Sequence, residues 1–138
     1  MKKTMATAAA LLTMAVPAFA EGDAAAGEKE FRKCKSCHSI VAEDGTEIVK
    51  GGKTGPNLYG VVGRVIGSTD FKYSSLLGAA MEQGLIWDGE GIASFIADPN
   101  AYMSEITGES GRSKMAKQNV KNAEDIVAYL ESVAPAAE

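Results

Sequence analysis

Histidine and cysteine are almost missing from this chain of 138 residues: it has one His and two Cys, all between Cys34 and His38. A structural zinc site takes four such ligands as a rule, so Cys34, Cys37 and His38 do not complete one. Long apolar runs are lacking too. The run from about Met5 to Val16 is too short, and wrongly flanked, to span a membrane. It follows Lys2 and Lys3 and precedes Ala18-Phe19-Ala20, the layout of a secretory signal peptide. Residues 1–20 are therefore expected to be removed, leaving residues 21–138 as a single domain exported to a bacterial periplasm. An excess of positive charge is also missing. The whole chain carries −4, and loss of Lys2 and Lys3 takes it to −6, which disfavours general nucleic-acid binding. No stretch alternates apolar and polar residues for long enough to make a convincing strand, and no repeat is visible.

What remains is a set of short helical patterns joined by long loops, an all-α class. Asp23 caps a predicted helix from Ala24 to about Lys33. Gly27 and Phe31 share one of its faces, and the glycine is either a tolerated defect or a point of close approach. From Ser39 to about Thr69 the chain is rich in glycine and shows no helical period. A loop of roughly 30 residues is uncommon in a compact domain unless it wraps something. Ser74 to Gln83 reads as a helix closed by Gly84, and Asp88 caps another that runs to Ile96. Pro99 suits the first turn of a further helix reaching about Ile106. Asn122 caps Ala123 to Val133, with Asp125 as its capping-box partner and Ile126, Leu130 and Val133 forming an apolar stripe beside Tyr129.

The chemistry is concentrated in Cys34-Lys35-Ser36-Cys37-His38. A thioredoxin-like dithiol would sit in a βαβ setting, which this pattern does not offer. Two idle thiols would be unusual in an oxidising compartment and would leave His38 unexplained. A Cys–His catalytic pair is disfavoured because adjacent residues on a helical turn point in different directions. Covalent haem attachment accounts for all three side chains. Cys34 and Cys37 lie on one face of a turn, where they can form thioethers with two vinyl groups, and His38 can direct a ring nitrogen at the iron. One such motif predicts one haem c per chain. A second axial ligand cannot be histidine, since none is left. A methionine would give the His/Met pair that raises the reduction potential. Beyond residue 20 the chain offers Met81, Met103 and Met115. The first two fall in helical patterns and read as packing. Met115 lies in a non-helical strap after Gly108 and Gly111, able to cross the far face of a haem, and is the preferred candidate.

Several separated motifs in order make the chain resemble the class I c-type cytochromes, the bacterial cytochrome c2 group in particular. They are Gly27 with Phe31, Cys34 to His38, Lys53-Thr54-Gly55-Pro56-Asn57-Leu58, Gly63-Arg64 and Phe71-Lys72-Tyr73. Trp87, Asp98-Pro99, Lys114-Met115 and Val127-Ala128-Tyr129-Leu130 continue the series. The resemblance implies the cytochrome c fold, with short helices and long loops wrapped around one covalently bound haem. It implies His38 and Met115 as axial ligands and Cys34 and Cys37 as attachment points. The Pro56 carbonyl would accept the Nδ1 proton of His38, while Arg64, Tyr73 and Trp87 would meet the haem propionates. Gly27 and Phe31 would pack on the terminal helix near Tyr129. Two positions depart from the family's usual pattern. Phe95 stands where a tyrosine hydroxyl often bonds the axial sulfur, and Lys117 stands where an aromatic often follows the axial methionine.

With both axial sites filled by protein, the resemblance implies outer-sphere transfer of one electron and no enzymatic reaction. The reading is a soluble, monomeric periplasmic shuttle. It would take electrons from a cytochrome bc1-type complex and pass them to a photosynthetic reaction centre, a terminal oxidase or a reductase. Lys29, Arg32, Lys33 and Lys35, with Arg112, Lys114, Lys117 and Lys121, form two basic groups suited to weak electrostatic docking. Two other classes stay open on the residues alone: an enzyme or gas sensor with a displaceable sixth ligand, and a haem-free thiol oxidoreductase.

Overall fold

Asp23 begins the first helix as the sequence predicts, its carboxylate accepting from the Ala25 and Ala26 backbone N–H groups at 2.9 and 3.2 Å. The computed structural model describes residues 22–134, so the expected signal peptide at 1–20 lies outside the described residues. Helix α1 spans Ala24–Glu30 and tightens into a 3-10 turn over Phe31–Lys33. Helices α2 (Ser75–Glu82), α3 (Gly89–Ala97), α4 (Pro99–Thr107) and α5 (Ala123–Val133) follow. Their starts are set by Ser74, Asp88, Asp98 and Asn122, each of which accepts a backbone N–H in the first turn. Asp98 ends α3 and starts α4, and Pro99 occupies the first position of α4, where its missing N–H costs nothing.

Helices α1 and α5 cross at close range, which decides the Gly27 question. A Cβ at Gly27 would lie 1.8 Å from the Asp125 carbonyl oxygen, so only glycine permits this approach. One turn on, the Phe31 and Tyr129 rings meet with centroids 5.6 Å apart. Asp125 does not complete the predicted capping box. Its carboxylate accepts instead from the Asp23 backbone N–H at 2.8 Å and from the Asn122 side-chain amide at 3.3 Å. Aspartate is one methylene shorter than the Glu or Gln of that motif, and the start of α1 lies within its reach.

The glycine-rich stretch holds a small element that the sequence did not reveal. Strands β1 (Ile40–Val41) and β2 (Glu47–Val49) pair antiparallel, Ile40 with Val49 and Val41 with Glu47. Strands this short cannot show an alternating pattern. An isolated bridge joins Val65 to Ile86. Among the described residues the rest is helix and loop, the all-α architecture that the sequence predicts, around a core that includes Phe31, Ile66, Leu76, Met103 and Ile126. Met103 is fully buried as packing, but Met81, also read as packing, is 45% exposed at the end of α2.

Candidate functional site

The turn after α1 carries Cys34 to His38 as a short helical continuation, with the Cys37 and His38 backbone N–H groups both donating to the Cys34 carbonyl. The glycine-rich segment folds directly onto this turn. Gly52 donates to the Lys35 carbonyl at 2.9 Å and Gly55 to the Cys37 carbonyl at 2.8 Å. A Cβ at Gly55 would stand 2.5 Å from His38 Cε1, and one at Gly51 would stand 1.9 Å from the His38 carbonyl oxygen. The glycines therefore serve close contact with the attachment motif, a role that composition alone does not distinguish from looseness.

His38 is buried at 8% exposure, and its Nδ1 lies 2.7 Å from the Pro56 carbonyl oxygen. A carbonyl only accepts, so Nδ1 carries the proton and Nε2 keeps its lone pair. Burial holds the ring below its ordinary pKa, against a smaller upward pull from Pro56. Asn57 positions that carbonyl. Its side-chain oxygen accepts from the Val41 N–H at 2.9 Å and its amide donates to the Val41 carbonyl at 2.8 Å, extending the edge of β1. In the sequence, nothing but its place after Gly55-Pro56 signals this task for Asn57.

A second pairing brings two distant residues together. Gly63 donates to the Trp87 carbonyl at 2.7 Å and Trp87 donates back to the Arg64 carbonyl at 2.9 Å. Arg64 is half-buried, and its guanidinium donates to the Asn57 and Tyr59 carbonyls at 3.2 Å each. Desolvation lowers its pKa, and among the described residues no carboxylate pairs with it. The Tyr73 hydroxyl bonds Thr69 Oγ1, and Trp87 lies edge-on to Phe95 with centroids 5.0 Å apart.

Met115 sits in a strap without helix or strand. The Ser113 hydroxyl accepts from the Met115 N–H at 2.9 Å and donates to its carbonyl at 3.0 Å. Lys117, the position left open by the sequence, forms an ion pair with Asp98 at 2.6 Å.

One cavity of about 390 Å³ takes lining from all eight residues singled out in the sequence: Cys34, Cys37, His38 and Pro56, then Arg64, Tyr73, Trp87 and Met115. Its walls are mainly apolar, with Phe31, Leu77, Phe95 and Ile126 among them. Burial pushes the Cys34 thiol up to about 11, whereas hydrogen bonds with Thr54 and Ser36 hold the exposed Cys37 below its usual value. Two free thiols, a neutral imidazole with its lone pair available, a thioether and a guanidinium lacking a carboxylate partner converge on one apolar space. That set fits a planar apolar cofactor with two points of attachment, a metal centre and an anionic edge.

Fold and cavity together define an all-α haem-binding domain of the c type. A family model described as Cytochrome c matches residues 24–134. Cytochrome c2 of Rhodobacter capsulatus is 54% identical over 132 residues, covering 94% of this chain and 95% of that protein. Cytochrome c-551 of Roseobacter denitrificans is 52% identical over 134 residues, 96% of each. Among solved structures, cytochrome c2 from Rhodobacter capsulatus aligns with a TM-score of 0.77 at 54% identity, over 81% of this chain and 98% of that one. Ferric cytochrome c-550 from Paracoccus versutus aligns with a TM-score of 0.79 at 49% identity, over 83% and 100%. The chain belongs to the cytochrome c family. It is a c-type cytochrome electron carrier, not an enzyme, and its covalently bound cofactor is haem c, whose attachment motif Cys34 and Cys37 fit.

Proposed function

We propose that residues 21–138 form a monomeric periplasmic shuttle whose haem iron is ligated by His38 and Met115. When bound, the haem supplies one-electron redox chemistry at its iron. Cys34 and Cys37 would hold the haem through thioether links to its two vinyl groups. His38 offers Nε2 because Nδ1 is committed to Pro56, which also fixes the ring's orientation. Met115 supplies sulfur, a ligand that favours the reduced state relative to a second histidine. Arg64, Tyr73 and Trp87, which line the same cavity, would meet the anionic edge, and the apolar lining would exclude water. Ligation by both His38 and Met115 would leave the iron no site for a substrate, and the same ligands would serve both oxidation states.

The observation that carries this reading is the convergence of His38, Cys34, Cys37 and Met115 on one cavity, with His38 Nδ1 committed to the Pro56 carbonyl. Electrons would come from a cytochrome bc1-type complex and go to a photosynthetic reaction centre, a terminal oxidase or a reductase. The absorption spectrum of the natively matured protein in both oxidation states tests the ligation. A low-spin c-type spectrum with the weak red band of Met–iron coordination is expected. A high-spin spectrum would move the reading to an enzyme or sensor with an open sixth position.

A further inference from the structure

The strap that carries Met115 has no repeating structure of its own, so its position must be imposed from outside. Lys114 Nζ donates to the Lys72 carbonyl and lies over the Phe71 ring on one side, and three further contacts come from residues 96–100, where α3 turns into α4. Asn100 Oδ1 accepts from the Ser113 N–H at 2.7 Å, two residues before Met115. Asp98 pairs with Lys117, two residues after it, at 2.6 Å, and the Ile96 carbonyl accepts from the Gln118 N–H at 3.0 Å. Ser113 then passes the constraint inward, since its hydroxyl grips both the N–H and the carbonyl of Met115.

We propose that Asn100 is a positioning residue for Met115, acting through Ser113, with the Asp98–Lys117 pair as a weaker second hold. The inference rests on the reading of Met115 as an axial ligand. Helix chemistry does not explain Asn100: alanine is the better helix former at a position inside the first turn of α4. Asn100 is partly buried and its bond is neutral, so salt does not screen it. Lys117 is 70% exposed, and an ion pair of that kind is weak and salt-sensitive. The two holds therefore have different signatures. Loss of either raises the fraction of time Met115 spends off the iron, and an external ligand reads that fraction directly.

The test is a titration of ferric, natively matured protein with imidazole, following loss of the weak red band. Asn100→Ala is expected to bind imidazole about fivefold more tightly than wild type, the factor one net hydrogen bond represents. Asn100→Asp keeps an acceptor for the Ser113 N–H and should return the affinity towards wild type. Gln83→Ala removes a different tether of α4, the bond to the Thr107 carbonyl at 3.0 Å, and should leave imidazole affinity unchanged. Lys117→Gln should show a smaller gain at low salt that vanishes at high salt. This arm also reads the second hold if Asn100→Ala fails to mature. Equal affinity in Asn100→Ala and wild type, or an equal gain in Gln83→Ala, overturns the proposal. A wild-type protein without the red band refutes the Met115 reading itself, and the proposal falls with it.

Discussion

Met103 and Met115 have the same side chain in opposite circumstances. Met103 is wholly enclosed in the core, while Met115 borders the cavity on a strap held by Ser113. Met115→Ala should abolish the weak red band and leave the fold intact. Met103→Ala should keep the band and lower stability by about 3 kcal/mol, as core truncations do. Absorption spectra and thermal melts of the two variants separate these outcomes. Phe95 offers a second residue-level test. Its ring lines the cavity against Trp87, so Phe95→Tyr brings a hydroxyl to that wall. If that hydroxyl donates to the axial sulfur, the reduction potential should rise; a redox titration showing no rise would refute the idea. Cys34, Cys37 and His38 were legible in the sequence because their meaning is local, three side chains in five positions. Asn57 and Lys117 were not, since each works through a partner, Val41 or Asp98, that only folding brings near.

Helix starts were legible for the same reason: Asp23, Ser74, Asp88 and Asn122 act on N–H groups two or three residues away. The hairpin and the use made of Asp125 depend on approaches between segments, which leave little trace in periodicity. The α1–α5 crossing supplies the sharpest test at this scale. Gly27→Ala forces a methyl group into the Asp125 carbonyl and should cost about 3 kcal/mol by thermal unfolding. The turn between α3 and α4 predicts a pH effect. Asp98 is held below the usual carboxylate range, first by its bond to Lys117 and then by the Ala101 N–H. A carboxylate with a depressed folded pKa stabilises above its unfolded value, about 3.9, and loses that contribution as pH falls through the folded value. Asp98→Asn keeps a capping oxygen and drops the ion pair. Wild type should melt above this variant at neutral pH, and the gap should close in acid below about pH 4. A gap that persists there would remove the ion pair as its cause.

Over the whole molecule, folding joins the two basic groups that the sequence keeps apart. Lys33 donates to the Asn119 carbonyl at 3.2 Å, and Glu30 accepts from the Lys121 N–H at 3.2 Å, so residues 30–33 and 119–121 adjoin. Lys33 and Lys117 are engaged by Glu30 and Asp98, which leaves Lys29, Arg32, Lys35 and Arg112 among the exposed cations better placed to meet a partner. Between Glu82 and Glu109 the chain has no Lys or Arg, so charge is polarised along the sequence. Electron-transfer rates with an acidic redox partner should fall as ionic strength rises, and Lys35→Glu should slow the reaction several-fold at low salt only. Rates indifferent to salt would count against docking by this surface. The bond between Asp23 and Asp125 joins residues 102 positions apart. Contacts of such long range are slow to form, and this one ties the start of α1 to the first turn of α5. A chain made from its N-terminus presents Cys34 to His38 well before α5 exists to meet Gly27. The attachment motif is thus available on an open chain, and a helix synthesised some ninety residues later is the one that shuts it in.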